Sequence, residues 1–69
     1  MKLSTRNQIA GTVQQVHAGE AMATVKVQLG GGEVITAAIT AEAVTDLGLE
    51  LGTPVTVLVK ATEVMLATD

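Results

Sequence analysis

The sequence predicts an all-β fold, a small five-stranded barrel interrupted by one short helix. Two observations carry this prediction. Val, Ile and Thr together supply one third of the 69 residues, and these side chains favour strands. Apolar and polar residues also alternate with a period of two along most of the chain, as in strands that bury one face. The alternation changes to a helical period at one place, directly after Thr40.

Three strands are predicted before that helix, over residues 9–16, 21–29 and 33–39. Residues 17–20, His-Ala-Gly-Glu, are expected to turn the chain between the first two strands. Residues 30–32 are all glycine, and their tolerance of positive φ suits a hairpin between the second and third strands. The second strand alternates most cleanly, since its odd-numbered positions are Ala21, Ala23, Val25, Val27 and Leu29.

A helix of about two turns is predicted to follow the third strand. Thr40 suits its N-cap, Glu42 lies in its first turn, and Gly48 suits a left-handed C-terminal stop. Leu49 then supplies the hydrophobic contact of a Schellman motif. The helix therefore has both of its ends specified by local residues.

Two further strands are predicted after the helix, over residues 55–60 and from residue 64 to about residue 67. The order strand, strand, strand, helix, strand, strand is that of an OB-like barrel, with its helix between strands three and four. An SH3-like barrel or a small open sandwich has a similar number of strands, but neither needs a helix at that place. We therefore expect one OB-like domain over residues 1–69.

The small size of the chain points to a homo-oligomer. A domain of about 60 residues buries only about 60% of its unfolded surface, and this one has no Phe, Tyr or Trp to enlarge its core. No cysteine is present, so neither a disulfide nor a thiolate-bound metal can reinforce the fold. Association with further copies is the remaining means of stabilisation.

Charge and hydropathy exclude several classes of partner. The net charge is −3, which disfavours nucleic acid, and the aromatic residues on which OB folds stack bases are absent. No apolar run approaches the roughly 20 residues of a membrane span, and the N-terminus lacks the apolar run of a signal peptide. We expect a cytoplasmic protein with no nucleic-acid or membrane partner.

Residues for catalysis and for metal ligation are also scarce. Ser4 is the only serine and His17 the only histidine, so no Ser/His/Asp or Cys/His arrangement exists within one chain. His17 has no second His or Cys to complete a metal site, except where symmetric copies meet at an oligomer axis. We expect a protein that is not an enzyme and holds neither a cofactor nor a directly ligated metal.

The remaining groups that could bind a ligand are hydrogen-bond donors. Ser4, Thr5, Arg6 and Asn7 form a polar cluster before the first strand, and Lys60 ends an apolar strand. Thr40 adds a hydroxyl at the start of the helix. Together these groups can enclose a small oxyanion. The alternative is a polar N-terminal tail, a lysine that extends to solvent and an ordinary helix cap.

The same residues carry a resemblance to a known family. The Ser-x-Arg-Asn-Gln segment from Ser4, the pattern over residues 39–55, and Val-Lys-Ala-Thr-Glu-Val from Val59 resemble the molybdate-binding Mop domain. Its free-standing members are the molbindins, and its fold also occurs as the TOBE domains of molybdate transporter ATPases and regulators. The resemblance spans essentially the whole chain.

The resemblance implies an oligomer, a ligand and a set of contacts. Molbindins exchange strands between subunits, assemble as a trimer of dimers, and bind molybdate or tungstate at subunit interfaces. In this sequence Thr5 stands where the family usually has Ala, so the resemblance implies that Thr5 contributes its backbone N–H. The turn at His17 is a candidate for a second site on the symmetry axis. The implied oxyanion contacts are Ser4, Thr5, Arg6, Thr40, Lys60 and Ala61.

The function implied is intracellular storage or homeostasis of molybdenum by a hexamer that binds the oxyanion. A different class of function stays open from the sequence, namely an assembly module that docks on a larger partner without a ligand. An OB-type nucleic-acid binder is a third alternative, and the charge and composition disfavour it.

Overall fold

Four strands form one antiparallel sheet in the computed structural model, which describes residues 4–69. The order of the strands across the sheet is β3-β2-β1-β4, so β3 and β4 are its edges. The bounds are β1 Asn7–Ala18, β2 Met22–Leu29, β3 Val34–Thr40, α1 Ala41–Leu47, β4 Pro54–Val59 and a 3-10 turn Ala61–Glu63. The all-β prediction, with one short helix between the third and fourth strands, is confirmed.

Strand β1 is longer than predicted and contains a β-bulge. It pairs with β4 over residues 7–12 and with β2 over residues 11–18, and the β2 register shifts between Val13 and Gln15. Gln14 is the extra residue. In a regular strand two residues three positions apart face opposite sides, but the bulge lets Val13 and Val16 both pack in the core. The alternation of apolar and polar residues could not predict that the core-facing side of β1 changes at the bulge.

The turn predicted over residues 17–20 begins later than expected. His17 and Ala18 still belong to β1, where they pair with Thr24 and Ala23. The turn closes through a bond from the N–H of Gly19 to the carbonyl of Met22, 2.9 Å long. The ladder to β2 holds His17 in extended backbone, which corrects its predicted place in a turn.

The core is built on β2, as the alternation predicts. Ala23, Val25 and Val27 are buried on one face, and Val13 of β1 packs with Val25 and Val27. Half-buried side chains surround this cluster, namely Val16, Leu29, Ile39, Val44, Leu49, Val55 and Val57. All four buried side chains are small, which is consistent with the thin core expected from a sequence without aromatic residues.

Helix α1 has the predicted ends. The Thr40 Oγ1 accepts a bond from the N–H of Ala43 at 3.0 Å, and Gly48 has the left-handed φ of 65°. The N–H of Leu49 donates to the carbonyl of Val44 at 3.0 Å, the long-range bond of the Schellman motif. Among the described residues no helix is long and apolar enough to cross a membrane.

The predicted fifth strand is absent from the described chain. Residues 61–63 form the 3-10 turn, and residues 64–69 have no regular secondary structure. Val64, Met65 and Leu66 are 46%, 92% and 93% exposed, so the rest of the described chain leaves this apolar segment largely uncovered. A regular strand needs a neighbouring edge, and the apolar composition that predicts the strand does not say where that edge lies.

The inner face of the sheet is partly open between its two edge strands. A groove of about 480 Å³ lies between the two edge strands, lined by Ala37 and Ile39 of β3 and by residues 54–58 of β4. Leu47, the last residue of α1, and Leu49 also line it. The single chain is thus a curled four-stranded sheet with an apolar gap between β3 and β4.

Candidate anion-binding site

A small cleft brings together the two ends of the sequence. Its volume is about 280 Å³, and its lining residues are Ser4, Thr5, Arg6, Lys60, Ala61 and Thr62. The pairing of Asn7 with Val59 creates this cleft, because the residues that precede β1 then lie beside those that follow β4. The structure therefore joins five of the six predicted site residues.

Three kinds of donor line the cleft. Ser4, Thr5 and Thr62 offer hydroxyl groups, Arg6 a guanidinium, and Lys60 an ammonium. Arg6 and Lys60 are both exposed, whereas Thr5 is half-buried. Thr62 was not among the predicted contacts. The only feature of the sequence that indicates a place for Thr62 in the site is its position, two residues after Lys60.

The 3-10 turn shapes one wall of the cleft. Lys60 has extended backbone at the start of the turn, and its carbonyl accepts the N–H of Glu63 at 2.9 Å. The first N–H groups of a helical turn have no acceptor within the turn. No side chain caps this turn within the part of the chain that the structure describes. The N–H groups of Ala61 and Thr62 have no acceptor among residues 4–69, so they can donate to an anion.

Two side-chain amides fix the backbone on both sides of the cleft. Asn7 Nδ2 donates to the carbonyl of Val59 at 3.0 Å, and Gln8 Nε2 donates to the carbonyl of Thr5 at 3.0 Å. Asn7 was expected as one more donor of the polar cluster, whereas the structure uses its amide to join β1 to β4. Sequence analysis missed this function, because the acceptor lies 52 residues away.

Thr40 does not join the cleft within one chain. It pairs with Met22 at the far end of the sheet, beyond the pair of Ala18 with Ala23. From Asn7 to Ala18 the strand β1 runs over eleven further positions, roughly 35 Å of extended chain. The Thr40 hydroxyl accepts the bond from Ala43, which leaves its own proton free to donate.

Metal ligation receives no support from the described residues. Residues 4–69 contain no group of three or more His, Cys, Asp and Glu side chains that could hold a metal ion. His17 is exposed on β1 and lies opposite Thr24. The chemistry of the cleft is that of hydrogen-bond donors, which suits an anion.

The fold and the cleft define a class of protein, namely small OB-like β domains with donors grouped at the start of the first strand and the end of the fourth. The TOBE domain model matches residues 3–66. A probable molybdenum-pterin-binding protein of Haemophilus influenzae is 38% identical over 69 residues, the whole of both chains. The chain belongs to the TOBE domain family, in its Mop or molbindin branch, which confirms the resemblance found in the sequence.

Solved structures of molybdate-binding proteins have the same fold as this chain. A molybdate-binding protein from Sporomusa ovata is 41% identical, with a TM-score of 0.93 over 99% of this chain and the whole of that chain. The cytoplasmic molybdate-binding protein ModG, in a molybdate-bound form, is 40% identical with a TM-score of 0.91. That match covers 94% of this chain but 46% of ModG, so this chain spans about half of ModG.

Proposed function

We propose that this protein binds molybdate or tungstate and serves the intracellular storage or homeostasis of molybdenum. The observation that carries the proposal is the cleft, which brings together Ser4, Thr5, Arg6, Lys60 and Ala61 from opposite ends of the sequence. The molybdate-binding proteins of the same fold support it. The protein is a cytoplasmic binding protein rather than an enzyme, and molybdenum enters as its oxyanion.

Each residue of the cleft has a distinct task toward the anion. Arg6 and Lys60 supply positive charge, and charge-assisted hydrogen bonds are about twice as strong as neutral ones. Ser4 donates through its hydroxyl, and Thr5 and Ala61 donate through backbone N–H groups. Donors rather than net charge do the binding, so an overall charge of −3 is no obstacle.

A second copy of the chain completes the site. Thr40 lies at the opposite end of the sheet from the cleft, so it can reach the anion only as a residue of another subunit. The cleft is also open to water in one chain, since Arg6, Lys60 and Ala61 are exposed. An interface that covers the cleft would exclude water and strengthen each charged hydrogen bond.

Strand exchange would close the barrel and form that interface. The apolar segment of residues 64–66 is exposed, and the gap between β3 and β4 has the apolar lining that a fifth strand needs. The segment of one subunit fills the gap of another, and further contacts build a hexamer, a trimer of dimers. Assembly of this kind also supplies the stability that the thin core lacks.

Calorimetry of the purified protein, stripped of bound anions, tests the proposal. Titration with sodium molybdate should show saturable binding with a defined number of sites per subunit, and tungstate should give a similar isotherm. A titration that shows only dilution heat for both anions would contradict the proposal. That outcome would favour the alternative function, a structural module that assembles without a ligand.

A further inference from the structure

Two amide side chains outside the cleft hold the carbonyl groups that directly precede its two cations in the chain. The carbonyl of Thr5 belongs to the peptide unit that precedes Arg6, and it accepts from Gln8 Nε2 at 3.0 Å. The carbonyl of Val59 belongs to the peptide unit that precedes Lys60, and it accepts from Asn7 Nδ2 at 3.0 Å. A side-chain amide therefore holds the peptide carbonyl that precedes Arg6, and another holds the one that precedes Lys60.

These bonds direct the carbonyl oxygens away from the anion. Neither Asn7 nor Gln8 lines the cleft, so a carbonyl that points at either amide points out of it. In a trans peptide the C=O and the N–H lie on opposite sides. Holding each carbonyl therefore also fixes the direction of the N–H of Arg6 or Lys60. The amides leave the cleft with donors and without a backbone acceptor from these two peptide units.

A cleft whose charged groups only donate, and whose two neighbouring carbonyls point away, discriminates between oxyanions by their protons. Molybdate, tungstate and sulfate are fully deprotonated near neutral pH, and they only accept hydrogen bonds. Hydrogen phosphate keeps one proton, which needs an acceptor. A proton that faces donors leaves polar groups unpaired, and this is the kind of mismatch that proteins reject most strongly.

We propose that Asn7 and Gln8 are positioning residues that exclude protonated oxyanions, because they hold the carbonyl groups of Val59 and Thr5 out of the cleft. The proposal rests on the proposed function, since it concerns the selectivity of the same site. It differs from a general structural role in one measurable respect. Loosening the cleft weakens sulfate and hydrogen phosphate alike, whereas releasing a carbonyl gives an acceptor to hydrogen phosphate alone.

The test compares the inhibition constants of sulfate and phosphate in competition with molybdate, near neutral pH and at fixed ionic strength. The variants are Gln8→Ala and Asn7→Ala, and the matched control is Gln28→Ala, which removes an exposed amide from β2. Both test variants should raise the affinity for phosphate relative to sulfate by roughly three- to ten-fold, the value of one neutral hydrogen bond. The control should leave the ratio at the wild-type value.

The outcomes separate this proposal from the proposed function. If the wild-type protein does not bind molybdate, the proposed function fails and this inference fails with it. If the wild type binds molybdate but Gln8→Ala keeps the wild-type ratio, the proposed function stands and the selectivity role is wrong. Gln8 is exposed, so its truncation decides the question even where Asn7→Ala fails to fold.

Discussion

Gly11 of β1 lies directly against Val27 of β2. A Cβ atom placed on Gly11 would lie 2.5 Å from Val27 Cγ1 and 3.0 Å from the carbonyl oxygen of Gln28. Gly11 is also a residue of β1 that pairs with both neighbouring strands, with Leu29 of β2 and Val55 of β4. The sheet can be this closely packed at that point only because position 11 has no side chain.

Gly11→Ala should therefore destabilise the protein. The added methyl group has a backbone atom on one side and a buried valine on the other, and overpacking of this kind costs about 1–3 kcal/mol. Denaturant unfolding at fixed protein concentration measures the change. Gly30→Ala is the control, because a Cβ there meets nothing within 4 Å and its φ is not positive. An equal loss in both variants would contradict the close packing at Gly11.

Thr40→Ala should lower stability through the loss of the helix cap. Its Oγ1 accepts the N–H of Ala43, and replacing a threonine N-cap by alanine costs about 0.5–2 kcal/mol. Thr40→Ser keeps the acceptor and should keep most of the stability. Thr45→Ala is the control within the same helix, since the Thr45 hydroxyl bonds the carbonyl of Ala41 only weakly, at 3.5 Å. Thermal unfolding of the variants distinguishes the cap from a general preference for threonine.

Lys60→Ala should weaken molybdate binding by roughly ten- to a hundred-fold while the assembly stays intact. A charge-assisted hydrogen bond to an anion contributes roughly 1.5–3 kcal/mol. Calorimetry measures the affinity, and light scattering measures the assembly. Lys26→Ala is the matched control, because Lys26 Nζ is engaged with Thr36 Oγ1 at 2.8 Å on β2, away from the cleft. An unchanged affinity in Lys60→Ala would make Lys60 an ordinary surface lysine.

The wild-type site should bind molybdate and tungstate alike, reject phosphate, and bind sulfate at least about ten-fold more weakly. Sulfate has the same charge and shape as molybdate but is smaller, and hydrogen bonds weaken as they stretch beyond about 3.2 Å. Donors fixed at the radius of molybdate would then lie too far from the oxygens of sulfate. Competition calorimetry at fixed ionic strength is the measurement. Equal displacement by sulfate and phosphate would indicate a general electrostatic site.

The double variant Met65→Asp with Leu66→Asp should prevent assembly. These residues are 92% and 93% exposed in one chain, and the proposed exchange buries at least one of them in the apolar gap of another subunit. A buried unpaired carboxylate is strongly unfavourable. Light scattering should report a hexamer for the wild type and a smaller species for the double variant. Thr68→Asp, which adds a charge at a polar position two residues after this segment, should leave the hexamer intact.

The parts of the fold that depend on neighbouring residues could be predicted from the sequence. The buried face of β2 follows from its alternation, and the helix ends follow from Thr40 and Gly48, whose capping contacts lie within a few residues. The bulge at Gln14 could not be predicted, because an extra residue is defined by the partner strand. The prediction of a fifth strand failed for the same reason, because a strand forms only beside another strand, and residues 64–67 do not specify that neighbour.

The same distinction between local and distant contacts applies to the candidate site. Ser4 to Arg6 and Lys60 were predicted as its donors from their residue types, and the structure places them in one cleft. The contact between Asn7 and Val59 joins positions 52 residues apart, so no local pattern reveals it. Thr40 was predicted at the start of the helix, and the structure confirms this position. It also shows that Thr40 and the cleft lie at opposite ends of the sheet, which the sequence could not reveal.

The bulge at Gln14 also limits how the length of this chain can vary. Side chains alternate along a strand, so removing one residue from a regular part of β1 turns every core residue on one side of the deletion toward solvent. Removing Gln14 has a different result, because Val13 and Val16 would then be two positions apart and would still share the core face. Within β1 a single-residue deletion is therefore compatible with the core at this position, at the cost of the extra twist that a bulge gives to a sheet.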